Sequence, residues 1–129
     1  MIPDLQCSVL CDDVRQENNG KFILIGLFDS LRLRALPSGH RLCVVNRWCC
    51  GVGTFKQLTR FVGPDGVDPI AVGREVEIKL NAQEQTATSV EVFLNPVFKT
   101  PGVHWVEILL DGQLRLRYPL VVVPPQPER

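Results

Sequence analysis

The chain predicts an all-β domain, an antiparallel two-sheet, immunoglobulin-like sandwich of about seven to nine strands with little helix. Three observations carry that expectation. Apolar runs of about five to nine residues recur along the 129-residue chain. Turn-forming clusters such as Asn18-Asn19-Gly20, Pro37-Ser38-Gly39, Gly63-Pro64-Asp65-Gly66 and Pro101-Gly102 separate them, supplying the fixed or positive φ that tight turns need. Several runs alternate apolar and polar side chains, the pattern of a strand with one face in a core and one in water.

The expected strands fall at about 5–11, 21–28, 41–49, 54–62, 74–80, 88–94, 103–110 and 113–123. Alternation assigns Val76, Ile78 and Leu80 to one core face, Val90, Val92 and Leu94 to another, and Leu114, Leu116 and Tyr118 to a third. Asp111-Gly112 between two apolar runs is the strongest hairpin signal and suits a type I′ turn. The two runs around Gly51-Val52-Gly53 are expected to pair as another hairpin, with Leu42, Val44, Trp48, Phe55, Thr59 and Phe61 inward. The one helix-like piece, Asp12 to Glu17, is long enough for about one turn, capped by Asp13 with Gln16 reaching back. Residues 1–123 read as one domain, followed by an extended Pro-rich tail, 124–129.

Composition narrows the class. With 45% hydrophobic and 22% charged residues the chain is globular rather than disordered. Fourteen cations balance fourteen anions, so no global field gathers nucleic acid or an anionic membrane surface, and neither is expected as a partner. The start, Met1-Ile2-Pro3-Asp4, lacks a signal-peptide pattern, and no apolar run approaches the ~20 residues that span a bilayer. Five cysteines are an odd number in a core-rich chain, which argues against a secreted disulfide framework. A cytoplasmic protein with reduced thiols is the expectation.

Two stretches point to a family. One is Cys11-Asp12-Asp13-Val14-Arg15, Asn19-Gly20-Lys21 and Leu24-Ile25-Gly26-Leu27-Phe28-Asp29; the other is Gly102-Val103-His104-Trp105, Asp111-Gly112 and Pro119-Leu120-Val121-Val122. Together they resemble a family of small bacterial proteins catalogued as a domain of unknown function. The resemblance spans most of the chain, the first stretch being the more specific. It implies a bacterial origin and a β-sandwich, and it implies no activity.

Residues of catalytic type do not assemble into a known pattern, so no enzyme, cofactor or catalytic residue is expected. The two histidines, His40 and His104, fall at a strand start and within a strand, and no Gly-x-Ser-x-Gly elbow or phosphate-binding glycine loop is present. Zinc through the thiols is disfavoured: Cys49 and Cys50 are adjacent, which in a strand sends them to opposite faces, and Cys7 and Cys11 lie roughly 13 Å apart in an extended chain. The acidic group Asp12, Asp13, Glu17, Asn18, Asn19 and Asp29 has oxygen ligands suited to calcium but matches no EF-hand spacing.

Two surface features remain. Between Asp29 and Asp65 there is no acid, and the expected hairpin puts Arg41, Val45, Arg47, Lys56, Leu58 and Arg60 on one sheet face, a basic rim around an apolar centre. A solvated face with counter-charges from Glu75, Glu77 or Glu91 is the more economical account. The run Phe22 to Phe28 is apolar on both faces, so Ile23, Ile25 and Leu27 need cover from the segment Leu31 to Leu36 or from a second subunit. Trp105 and Leu109 pose the same question, because Val106, Ile108 and Leu110 already form an inward set. The leading expectation is a non-enzymatic binding or assembly module acting through a sheet face or edge on a protein partner or on itself. The alternative is a small-ligand or metal-binding accessory domain using the acidic loops or the cysteines.

Overall fold

The computed structural model describes residues 1–125, and among them the chain is all strand, turn and bend. In chain order the strands are β1 (Asp4–Gln16), β2 (Phe22–Phe28), β3 (Ser30–Arg32), β4 (Ser38–Gly39), β5 (Leu42–Cys49), β6 (Gly53–Val62), β7 (Pro69–Val72), β8 (Val76–Leu80), β9 (Thr86–Phe93), β10 (Val97–Phe98), β11 (Gly102–Leu110) and β12 (Gln113–Val123). Twelve strands exceed the expected seven to nine, but eight of them have five residues or more and these overlie the eight expected runs. The additions are the short β3, β4, β7 and β10. The tail lies outside the described residues from 126 onward.

Two sheets carry the fold, one in the order β2-β1-β5-β9 and one in the order β3-β12-β11-β6-β7 with β8 also on β6; β4 and β10 form a separate small pair. Among the described strands the pairing of β3 with β12 is parallel and the rest are antiparallel. One apolar cluster fills the space between the sheets, with Leu10, Val44 and Trp48 from the first meeting Phe61, Val106, Ile108 and Leu120 from the second. Burial of such side chains is worth about 1.5–3 kcal/mol each, which makes this layer the main source of stability.

The Asp111-Gly112 hairpin forms as expected. Both residues have positive φ, 49° and 79°, as a type I′ turn requires, and Leu110 faces Gln113 across it. The turn is tied to β6, since the Lys56 backbone N–H donates to Asp111 Oδ1 at 2.8 Å and the Asp111 N–H donates to Lys56 O at 2.8 Å.

The second expected hairpin does not form. β5 pairs with β1 and β9, whereas β6 pairs with β11, β7 and β8, so the Gly51-Val52-Gly53 link carries the chain from one sheet to the other. Cys50 at φ 64° and Gly53 at φ 136° turn it out of the first sheet. A Cβ on Gly51 would lie 2.6 Å from the Pro3 backbone nitrogen, so glycine lets the link rest on the N-terminal segment. The inward phase of both strands stands: Leu42, Val44, Trp48, Phe55, Thr59 and Phe61 are all buried.

Three further expectations are corrected. The Asp12–Glu17 piece is not helical; β1 continues through Gln16 because β2 pairs with it up to Phe22. Leu31 and Leu33 do not cover β2 but enter the main core, with Leu36 packed against it. In β9 the phase is reversed: Ser89 and Phe93 are buried while Val92 and Leu94 are exposed. The cause is a polar seam through the core. The buried Trp48 Nε1–H needs an acceptor and donates to Gln57 Oε1 at 2.7 Å. Ser89 Oγ donates to the same oxygen at 3.0 Å, and Gln57 Nε2 donates to Glu91 Oε1 at 3.2 Å. Burial pushes the Glu91 carboxyl above its ordinary range, opposed by hydrogen bonds from Thr59 and Gln57.

Candidate functional site

β2 is built from aromatic and aliphatic residues that favour the extended backbone, and it ends the first sheet with β1 as its one strand partner among the described residues. Five of its side chains remain in solvent, from 40% exposed at Leu24 to 65% at Leu27 with Phe22, Ile23 and Ile25 between, while Phe28 at its end packs against the main core. Natural edges are normally blunted by charge or proline, and Phe22 to Phe28 contains neither. The expected contact residues Ile23, Ile25 and Leu27 therefore lie together on an open edge.

The strand sits on a curled hairpin. Past Cys11, β1 leaves β5 and pairs with β2 alone, and the hairpin closes over the outer face of β5. Phe22 and Leu24 line a shallow depression of about 420 Å³ with Val45, Arg47 and Thr88. Beneath it Cys11, Cys43 and Val45 make a second buried cluster. Arg41 fastens the hairpin, donating to Asp12 O at 3.0 Å and lying 3.6 Å from Asp13. A hydrogen bond from the Val14 backbone, helped by Arg15 and Arg41, holds the Asp13 carboxyl below its ordinary range.

The expected basic face is divided. Val45 and Arg47 belong to the first sheet, with Arg41 just before β5, and Lys56, Leu58 and Arg60 belong to the second, so the two sets lie on different layers of the sandwich. Val45 is buried rather than central to an exposed patch. Lys56 lies 4.0 Å from Glu75 and Arg60 2.6 Å from the buried Glu107, whereas Arg47 donates to Thr88 and Thr86 hydroxyls. Of the expected counter-charges Glu75 serves; Glu107 was not foreseen, because it hides within an apolar run.

Glu107 organises the outer face of the second sheet. It lies between Arg60 and Arg117 (3.7 Å), and the Arg117 guanidinium stacks 4.5 Å from the Trp105 ring centre. Trp105 is half-buried here. Leu109, expected to be open, is 8% exposed, with Leu58 and Leu114 as its register partners.

The remaining residues singled out by chemistry do not assemble. His104 is buried and its Nδ1 lies 3.1 Å from Gly102 O; His40 lies edge-on to Phe28. All five cysteines are free thiols. Burial pushes the Cys11 and Cys43 thiols up, and these two face each other across β1 and β5. Asp12 and Asp13 lie within β1 while Glu17, Asn18 and Asn19 form the hairpin end, and among the described residues no three His, Cys, Asp or Glu side chains are placed to hold a metal ion. A cleft of about 530 Å³ opens beside Asp65, Asp68, Lys99 and His104, but Asp65 Oδ1 is taken by the Val67 and Asp68 N–H groups as a turn former.

One adjacent pair departs from expectation. Cys49 and Cys50 were expected on opposite faces, yet their sulfurs lie 3.4 Å apart, because the positive φ of Cys50 ends the strand alternation.

A family model described as a family of unknown function, DUF6941, matches residues 6–123. The chain belongs to this family. The matched span runs from within β1 to the last residue of β12 and includes the β2 edge. No curated protein matches the DUF6941 chain by sequence. Among solved structures, the alkylpurine DNA glycosylase AlkC of Pseudomonas fluorescens, bound to DNA with an abasic-site analog, is similar with TM-score 0.50 and 10% identity over 74% of this chain and 28% of its own. A β-glucosidase from Listeria innocua in complex with isofagomine gives TM-score 0.44 and 10% identity over 95% of this chain and 16% of that one. The chain thus spans less than a third of either of those chains, and the likeness to the glycosylase concerns the fold alone.

Proposed function

We propose that this domain is a non-catalytic assembly module of the bacterial cytoplasm that associates with a second copy of itself through the β2 edge. The observation that carries the reading is the uncharged, doubly apolar strand left open at the end of a sheet. A second β2, antiparallel across a two-fold axis, supplies main-chain hydrogen bonds to the open edge and covers Ile23, Ile25 and Leu27. Because the strand has no charge, pairing it with itself brings no like charges together. The balanced total charge fits a protein partner better than a nucleic acid.

Sedimentation equilibrium at micromolar concentration tests the reading. The wild type is expected to show twice the chain mass, and Ile25→Lys, which places a charge on the edge, is expected to be monomeric with an unchanged fold. A strictly monomeric wild type overturns self-association.

A further inference from the structure

We infer that Cys49 and Cys50 form a bidentate thiol site for a soft thiophilic centre that two sulfur ligands satisfy, of which a trivalent arsenical is the type. The inference is independent of the β2 edge, since the pair lies where β5 ends and the link to β6 begins. Cys50 is exposed and Cys49 half-buried, so reagents reach both.

Geometry selects the ligand class. At 3.4 Å the two sulfurs are in contact but not bonded, a disulfide being about 2.05 Å long, so both are free thiols available as ligands. They are close enough for one atom to bond both at about 2.3 Å, an ordinary metal–thiolate distance. Structural zinc takes about four protein ligands, and among the described residues no third His, Cys, Asp or Glu is grouped with this pair. A centre content with two sulfurs is what remains. The link is also held in place: Val52 N–H donates to Met1 O at 3.2 Å, and Gly51 packs against Pro3. The thiols are therefore set beside each other before any ligand arrives. Cys11 and Cys43 also adjoin, but both are fully buried and closed to reagents.

The chemistry balances without a redox partner. With phenylarsine oxide, two S–As bonds form and the arsenic–oxygen linkage breaks. The two thiol protons leave with that oxygen as water, and arsenic stays trivalent. Closure of the second S–As bond is intramolecular, so two thiols should hold the arsenical about 10²–10⁴-fold more tightly than one.

Intact-mass titration of the full chain with phenylarsine oxide, with 2,3-dimercaptopropanol as competitor, reads this directly. The expected result is one arsenical per chain, mapped by peptide digestion to Cys49 and Cys50. Cys49→Ser and Cys50→Ser should each weaken retention by about 10²–10⁴-fold, while Cys11→Ser should leave it unchanged. Should a serine variant fail to fold, the map of the wild-type adduct decides. Absence of a one-to-one adduct, an adduct on Cys7, Cys11 or Cys43, or undiminished retention in Cys50→Ser overturns the inference.

Discussion

Single side chains decide two testable properties. Trp48 is fully buried in the inter-sheet cluster, and its indole N–H is one of two donors to Gln57 Oε1. Trp48→Ala leaves a cavity and is expected to lower stability by about 3–5 kcal/mol in equilibrium denaturation, whereas Trp105→Ala on the half-buried outer face should lose far less. Equal losses would contradict the placement. Tyr118, the one tyrosine in the chain, has its hydroxyl 2.8 Å from Ser8 Oγ, and burial pushes its phenol up to about 12. The unfolded phenol titrates near 10. The neutral form is thus favoured in the folded state, and its contribution is complete below about pH 10 and lost as pH rises toward 12. A 295 nm absorbance titration should show little phenolate below about pH 11 while the protein stays folded, and a midpoint near 10 would refute the burial.

At the scale of elements, the Asp111-Gly112 turn joins sequence to structure most directly. It holds two residues at positive φ and anchors β6 through Asp111 Oδ1. Asp111→Ala removes that acceptor and a residue tolerant of positive φ, and a loss of about 1–3 kcal/mol is expected in thermal or chemical melts. An unchanged stability would mean the turn is not what sets the β11–β12 register. Strands of this sort were legible because turn chemistry and alternation are local. The β9 phase was not, because Val90, Val92 and Leu94 are the more apolar set and only the distant Trp48 and Gln57 create a demand for Ser89 and Glu91 inside. The β5–β6 link misled for the same kind of reason: glycines at 51 and 53 suit a hairpin, and only contact with Pro3 and the positive φ at Cys50 send the chain to the other sheet. Among site residues, Ile23, Ile25 and Leu27 were legible from a run apolar on both faces. The sulfur pair was not, since it depends on one backbone angle.

At the scale of the whole molecule the question is how a sandwich closes its margins. The first sheet ends in β9 on one side and β2 on the other. β2 differs in carrying five large apolar side chains in solvent. Leaving a Leu, Ile or Phe side chain wet forfeits roughly 1.5–3 kcal/mol relative to full burial, so even partial cover by a second copy is favourable. A complex that binds only the folded state stabilises it by mass action, which makes the melting temperature depend on protein concentration. The melting temperature is therefore expected to rise over a hundredfold increase in concentration for the wild type and to stay constant for Ile25→Lys. Trp105→Ala separates the edge from the outer face of the second sheet, because it should retain the concentration dependence if copies meet through β2. Hydrogen exchange adds the site: amides of Phe22 to Phe28 that point away from β1 should gain protection as concentration rises. If protection instead grows around Trp105, the copies meet face to face, and the β2 edge is not the contact.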